Sequence, residues 1–215
     1  MEKDLSNYRK SYEKGDLIET EVSGDAMELF QRWFHEIEEF SPEVENNAMT
    51  VSSIGLDGFP KNRVVLLKKF TWEGFIFYSN YESEKGKAME VNNHVCASFF
   101  WPSLERQVII KGRVEKIPEN LSDGYFESRP DGSKLGAWAS DQSKVVPSRA
   151  YLDQRLKSFE EKYKNIEIPR PEHWGGYLIR PESIEFWQGR PNRMHDRLRY
   201  SLDQEYNWNI ERLAP

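Results

Sequence analysis

Between Ala48 and about Val114 the chain is a succession of short apolar segments punctuated by turn residues, a text that few architectures satisfy. Met49–Ile54 and Asn62–Phe70 flank Asp57-Gly58, a hairpin signal. Phe75–Ser79 follows the turn Trp72-Glu73-Gly74, residues 84–92 read as a short helix, and strands are expected at 94–100 and 105–114. Further strands are expected at Tyr177–Ile179, Ile184–Gln188, Arg193–Tyr200 and Tyr206–Leu213. Helices frame them. Met27, Phe30, Phe34 and Ile37 recur at helical spacing over 26–39, beside Trp33 and behind the N-cap candidate Asp25. Pro118–Phe126 reads as a short helix, and Pro147 to about Lys164 as a longer one with Leu152, Leu156, Phe159 and Tyr163 on one face. Short strands joined by tight turns, with peripheral helices, predict an α+β fold, mainly β, built on an antiparallel barrel. Residues 21–215 read as a single domain behind a polar, mobile segment over 1–20.

The balance of charge narrows the partners. A net charge of -6 argues against general binding to nucleic acid or an anionic membrane surface. No apolar run follows Met1-Glu2-Lys3-Asp4, so no secretory leader and a cytoplasmic address are expected. The only cysteine, Cys96, excludes an internal disulfide and a cysteine-rich metal site. His35, His94, His173 and His195 lack metal-ligand spacing, so no metal is expected. Neither a Gly-x-Ser-x-Gly elbow nor a glycine-rich phosphate loop occurs.

Positive charge is instead local. In a regular strand Arg193, His195 and Arg197 share one face, and two guanidiniums around an imidazole suit a bound anion better than a core. Arg63 and Lys68 bracket Val64-Val65-Leu66-Leu67, and their spacing predicts opposite faces of a regular strand. Tyr78-Ser79, with Lys85 at a helix start, offers hydroxyls and a cation together. Tyr125, Arg129 and Ser133 form a third group on an expected loop, and Gln107, Gln142 and Ser143 supply neutral hydrogen bonds.

These groups, in this order, closely resemble the pyridoxamine 5'-phosphate oxidase family. Its C-terminal signature stands here as Glu185-Phe186-Trp187-Gln188 followed by Arg193-Met194-His195-Asp196-Arg197. Glu105-Arg106-Gln107-Val108, Tyr125-Phe126-Glu127-Ser128-Arg129-Pro130, Trp174-Gly175-Gly176-Tyr177 and Arg212-Leu213-Ala214-Pro215 match as well. The resemblance implies an FMN-binding split β-barrel acting as a homodimer. It implies oxidation of the small molecule pyridoxamine or pyridoxine 5'-phosphate to pyridoxal 5'-phosphate, with O2 reduced to H2O2. FMN contacts are then expected from Arg63, Val64, Val65, Leu66, Leu67, Lys68, Tyr78, Ser79, Lys85, Gln107, Gln142, Ser143, Trp187 and Arg197. Lys68, Tyr125, Arg129 and Ser133 resemble a cradle for the substrate phosphate. Arg193 and His195 resemble the catalytic pair facing the reacting carbon, with His195 accepting or relaying a hydrogen bond. Arg9 and Tyr12 resemble a lid over the substrate. One departure is Ser83-Glu84-Lys85, where the family commonly carries Ser-Arg-Lys, so weaker FMN retention is expected unless Glu84 faces solvent. Two alternatives are another flavin reductase on the same barrel and a non-catalytic binder of FMN or pyridoxal phosphate.

Overall fold

The structure, a computed structural model, describes residues 1–215. Its helices are α1 (Ala26–Phe40), α2 (Glu84–Val91), α3 (Glu119–Glu127), α4 (Asp131–Ala139) and α5 (Arg149–Lys162). Its strands are β1 (Ala48–Ile54), β2 (Pro60–Thr71), β3 (Gly74–Asn80), β4 (His94–Trp101), β5 (Arg106–Lys116), β6 (Trp174–Gln188), β7 (Asp196–Leu202) and β8 (Trp208–Arg212). Strand order is β3-β2-β1-β4-β5-β6-β7-β8, and β3 also pairs with β6, so the first six strands close into the expected barrel. No helix is long and apolar enough to cross a membrane.

Backbone contacts divide the chain into two compact units. The first comprises Met1–Met49, Ala97–Lys111 and Pro181–Pro215. There α1 forms as its periodicity predicts, and Asp25 caps it by accepting the N–H groups of Met27 (2.6 Å) and Glu28 (3.4 Å). Its apolar stripe buries Leu29, Phe30, Trp33 and Ile37. Trp33 meets Phe186 edge-on at 5.2 Å, and Phe186 meets Tyr200 at 5.5 Å. Each such fully buried aromatic contributes about 1.5–3 kcal/mol by leaving water. β7 pairs with β6, opposing Arg197 to Trp187, and with β8, opposing Leu198 to Arg212.

The second unit comprises Thr50–Cys96 and Gly112–Arg180. β3 pairs with β6 from Phe75↔Ile179 to Asn80↔Trp174, and Phe75, Phe77 and Ile179 are wholly buried. Ser83 caps α2 by accepting the Gly86 N–H at 3.2 Å. A side chain at position 86 is excluded, because its Cβ would lie 2.1 Å from the Tyr81 carbonyl oxygen.

Four expectations need correction. β2 is not regular: Leu67 opposes Phe77 but Lys69 opposes Ile76, so Lys68 is an inserted bulge residue. The segment after Pro130 is helix α4 rather than loop, with Pro130 standing at its N-cap. The strands expected at 177–179 and 184–188 are one continuous strand, β6. Arg193 lies in a helical turn at Pro191–Arg193, and β7 starts only at Asp196. Asn192 and Arg193 have φ of 57° and 62°, left-handed values that a strand does not contain.

Candidate functional site

In the second unit, β2, β3, α2, α3 and the segment after α4 enclose a cavity of about 450 Å³, within the range usual for small-molecule sites. Arg63, Val64, Val65, Leu66 and Lys68 line it from β2, Tyr78 and Ser79 from β3, and Lys85 from α2. Tyr125 and Arg129, with Gln142 and Ser143, line the remainder. Arg63 and Lys68 both line the cavity, with Val64, Val65 and Leu66 between them, although regular alternation would turn the two cations opposite ways. Ser143 adopts φ 74°, a left-handed conformation at which a non-glycine residue is strained.

The electrostatics are those of an anion site. Arg63, Lys68, Lys85 and Arg129 line the cavity and no carboxylate does. Burial, with help from the neighbouring Arg63, pulls the Lys85 ammonium down to about 8. It still donates to Gln142 Oε1 (2.7 Å) and Ser83 Oγ (3.2 Å). Arg129 stands over the Trp174 ring at 4.5 Å, and its Nη1 is buried with no hydrogen-bond partner. Burial also lowers the pKa of this group, with Tyr125 opposing, yet a guanidinium remains charged. A buried donor left unmatched costs about 1–3 kcal/mol. A phosphate oxygen would satisfy it. One wall is aromatic: Tyr78 stacks on Tyr125 at 3.9 Å and on Trp174 at 5.4 Å, nearly parallel in both cases. Four cations in a lining free of carboxylates, an orphaned guanidinium and a stacked π face together fit a phosphorylated heterocycle, FMN included.

Glu84 stays outside this lining. Its side chain, 43% exposed, reaches Lys61 at 3.3 Å and Arg63 at 3.8 Å. The carboxylate thus draws on a cavity cation from the solvent side.

The first unit holds the other expected residues. Trp187 and His195 have ring centroids 4.7 Å apart, and Tyr12 stands edge-on to both at 5.7 Å. His195 Nδ1 accepts the backbone N–H of Arg190 at 3.0 Å, so a neutral ring carries its proton on Nε2. In that tautomer the other edge of His195 presents an N–H, which can donate or take part in a relay. Arg197 donates through Nε to Glu185 (2.8 Å) and through Nη1 to the Ala214 carbonyl (2.8 Å). Arg193 and Arg9 are exposed, and Gln107 is half-buried on β5.

Two expected residues lie elsewhere in the second unit. Leu67 is 4% exposed and belongs to the core opposite Phe77. Ser133 is exposed in the first turn of α4 and does not line the cavity. Conversely, Trp174 and Asn80 line the cavity although no role was expected of them. Trp174 carried a signal, in the Trp174-Gly175-Gly176-Tyr177 run, and Asn80 another, as the third residue of Tyr78-Ser79-Asn80.

Known proteins align with the chain over nearly its whole length. Residues 34–163 match the family described as pyridoxamine 5'-phosphate oxidase, and residues 174–215 match the pyridoxine 5'-phosphate oxidase C-terminal dimerisation region. A protein of Flavobacterium psychrophilum named pyridoxine/pyridoxamine 5'-phosphate oxidase is 65% identical, over 99% of this chain and 100% of its own. One of the same name from Christiangramia forsetii is 53% identical, over 100% of both chains. Among solved structures, PhzG from Burkholderia lata, in complex with tetrahydrophenazine-1-carboxylic acid, superimposes with a TM-score of 0.86. It is 23% identical and covers 94% of this chain and 100% of its own, a likeness of fold.

Proposed function

The chain belongs to the pyridoxamine 5'-phosphate oxidase family, and from that premise we propose that it oxidises pyridoxamine or pyridoxine 5'-phosphate to pyridoxal 5'-phosphate with FMN. FMN, when bound, would supply a two-electron acceptor for a hydride from the substrate's C4' carbon, with dioxygen as the final acceptor and hydrogen peroxide as its product. The amine substrate also consumes one water and releases ammonia, whereas the alcohol gives the aldehyde directly.

The observation that carries this reading is the carboxylate-free cavity with its unsatisfied Arg129 guanidinium. Arg63, Ser79, Lys85, Gln142 and Ser143 would hold the flavin nucleotide, and Lys68, Tyr125 and Arg129 the substrate phosphate. Phosphate binding remote from C4' helps hold the reacting carbon in place, which is where positioning lowers a barrier. Gln107, Trp187 and Arg197 are assigned to the flavin, Arg193 to orienting the substrate, and His195 Nε2–H to donating toward it. Arg9 and Tyr12 are assigned to covering it. The match to a dimerisation region supports a homodimer. A cytoplasmic address follows from the same reading.

The test is direct. FMN-loaded protein given pyridoxamine 5'-phosphate in air should release peroxide, ammonia and aldehyde in equal amounts. Binding without peroxide would leave only a carrier, and peroxide only with another reductant would indicate a different flavin enzyme.

A further inference from the structure

Glu105 is a carboxylate that neither the cavity nor the proposed chemistry uses. It stands just ahead of β5 with 2% exposure and a left-handed φ of 57°. A buried carboxylate loses several kcal/mol of hydration unless partners replace it, so its partners reveal its purpose. Oε2 accepts the N–H groups of Glu13 (2.8 Å) and Lys14 (3.1 Å), and Oε1 faces Lys10 Nζ at 3.3 Å. All three belong to the N-terminal segment. That segment has no apolar anchor of its own there, since Leu17 is the first buried side chain in the chain.

The backbone of Glu105 grips a second segment. Its carbonyl accepts the Gly189 N–H at 2.7 Å and Gln188 Nε2 at 3.3 Å. Those residues adjoin Trp187 and open the turn that leads to His195. Burial pushes the carboxyl up, but the Lys14 and Glu13 amides and the Lys10 ammonium more than offset this and hold it below its ordinary value. Tyr12, within the first gripped segment, reaches the second, 5.7 Å from the rings of both Trp187 and His195. A Cβ on Gly189 would lie 2.8 Å from Tyr12 Cβ, so glycine is required for this approach.

We propose that Glu105 is a positioning residue: it latches residues 10–14 by charge and thereby seats Tyr12 against His195 and Trp187. The proposal rests on the reading in which Tyr12 and His195 face substrate. Two variants of the FMN-loaded protein test it. Glu105→Gln keeps the volume and one acceptor oxygen but removes the charge. Lys14→Pro leaves Glu105 intact and removes the Lys14 amide donor, together with the ammonium's bond to the Ser103 carbonyl (2.6 Å).

Amide hydrogen exchange at Glu13 should quicken about tenfold in both, the change expected when a charge-assisted hydrogen bond weakens by roughly half its usual 1.5–3 kcal/mol. The KM for pyridoxamine 5'-phosphate should rise by a similar factor, with FMN content unchanged and kcat moving less. Unaltered exchange in both variants overturns the latch. Faster exchange with unaltered KM overturns the positioning role. A wild-type protein without turnover would remove the functional reading instead, and exchange alone would then decide the latch.

Discussion

In the second unit Lys85 and Arg129 face a cavity without a carboxylate, whereas in the first unit Arg106, Arg190, Arg197 and Arg212 each face at least one. Arg212 bridges Glu19 and Asp196, Arg106 pairs with Glu36, and Arg190 reaches both Asp16 and Asp196. The same residue type therefore does two jobs, and the presence of a counter-ion tells them apart. A paired guanidinium is already neutralised and braces the chain. An unpaired one in a low-dielectric hollow is destabilising until an anion arrives. Lys85 and Arg129 are thus marked by what is missing around them, whereas Arg197, assigned to the flavin, keeps Glu185 as a partner.

The comparison breaks most sharply at Arg129. Arg129→Met should raise the KM for pyridoxamine 5'-phosphate about a hundredfold, the loss of two charge-assisted hydrogen bonds, without lowering the thermal midpoint of the empty protein. A fall in stability of the empty protein would place Arg129 among the braces. Lys85 gives the next effect, with opposite pH trends. Its folded value of about 8 lies below the ordinary 10.5, so the unfolded chain binds more protons between these values. Stability of the empty protein should therefore rise as pH climbs from about 8 toward 10.5. Anion affinity should fall over the same window, by up to about tenfold per pH unit. Calorimetry with FMN from pH 7 to 10 measures this, and Lys85→Met should flatten both trends.

Arg197 tests the braced region. Its side chain is 31% exposed, so Arg197→Met should cost only about 1 kcal/mol in denaturant unfolding after solvent screening is allowed for. The smallest effect belongs to Glu84. Because it is half in solvent and shared between Lys61 and Arg63, Glu84→Arg should tighten FMN binding by a factor of only about three. No tightening in a titration would show that it withdraws nothing from the cavity.

Much of this was legible in the sequence where periodicity and capping agreed. α1 obeys both, as Asp25 and the Leu29–Ile37 face show. What escaped was local and obeyed other rules. Pro130-Asp131-Gly132 reads as a loop, yet a proline can stand at a helix start because no intrahelical N–H is needed from it. Pro181 likewise suggests a strand break. It sits within residues 180–182, where that edge of β6 changes partner from β3 to β7. At the candidate site, the cations were legible by type but not by direction. Arg63 and Lys68 both line the cavity, against the alternation that their spacing predicts. The supposed alternation of Arg193, His195 and Arg197 failed because Gly189, Pro191 and Asn192 make a turn first. Their turn chemistry was the available warning.

The inserted residue at Lys68 has a consequence for how this gene tolerates change. Deleting that single codon would leave a straighter ribbon with better-matched ladders, and by ordinary rules of sheet building an improvement. It would also remove one of the cavity's cations. Here an irregularity is the heritable unit, and tidying it would erase what the ribbon is for.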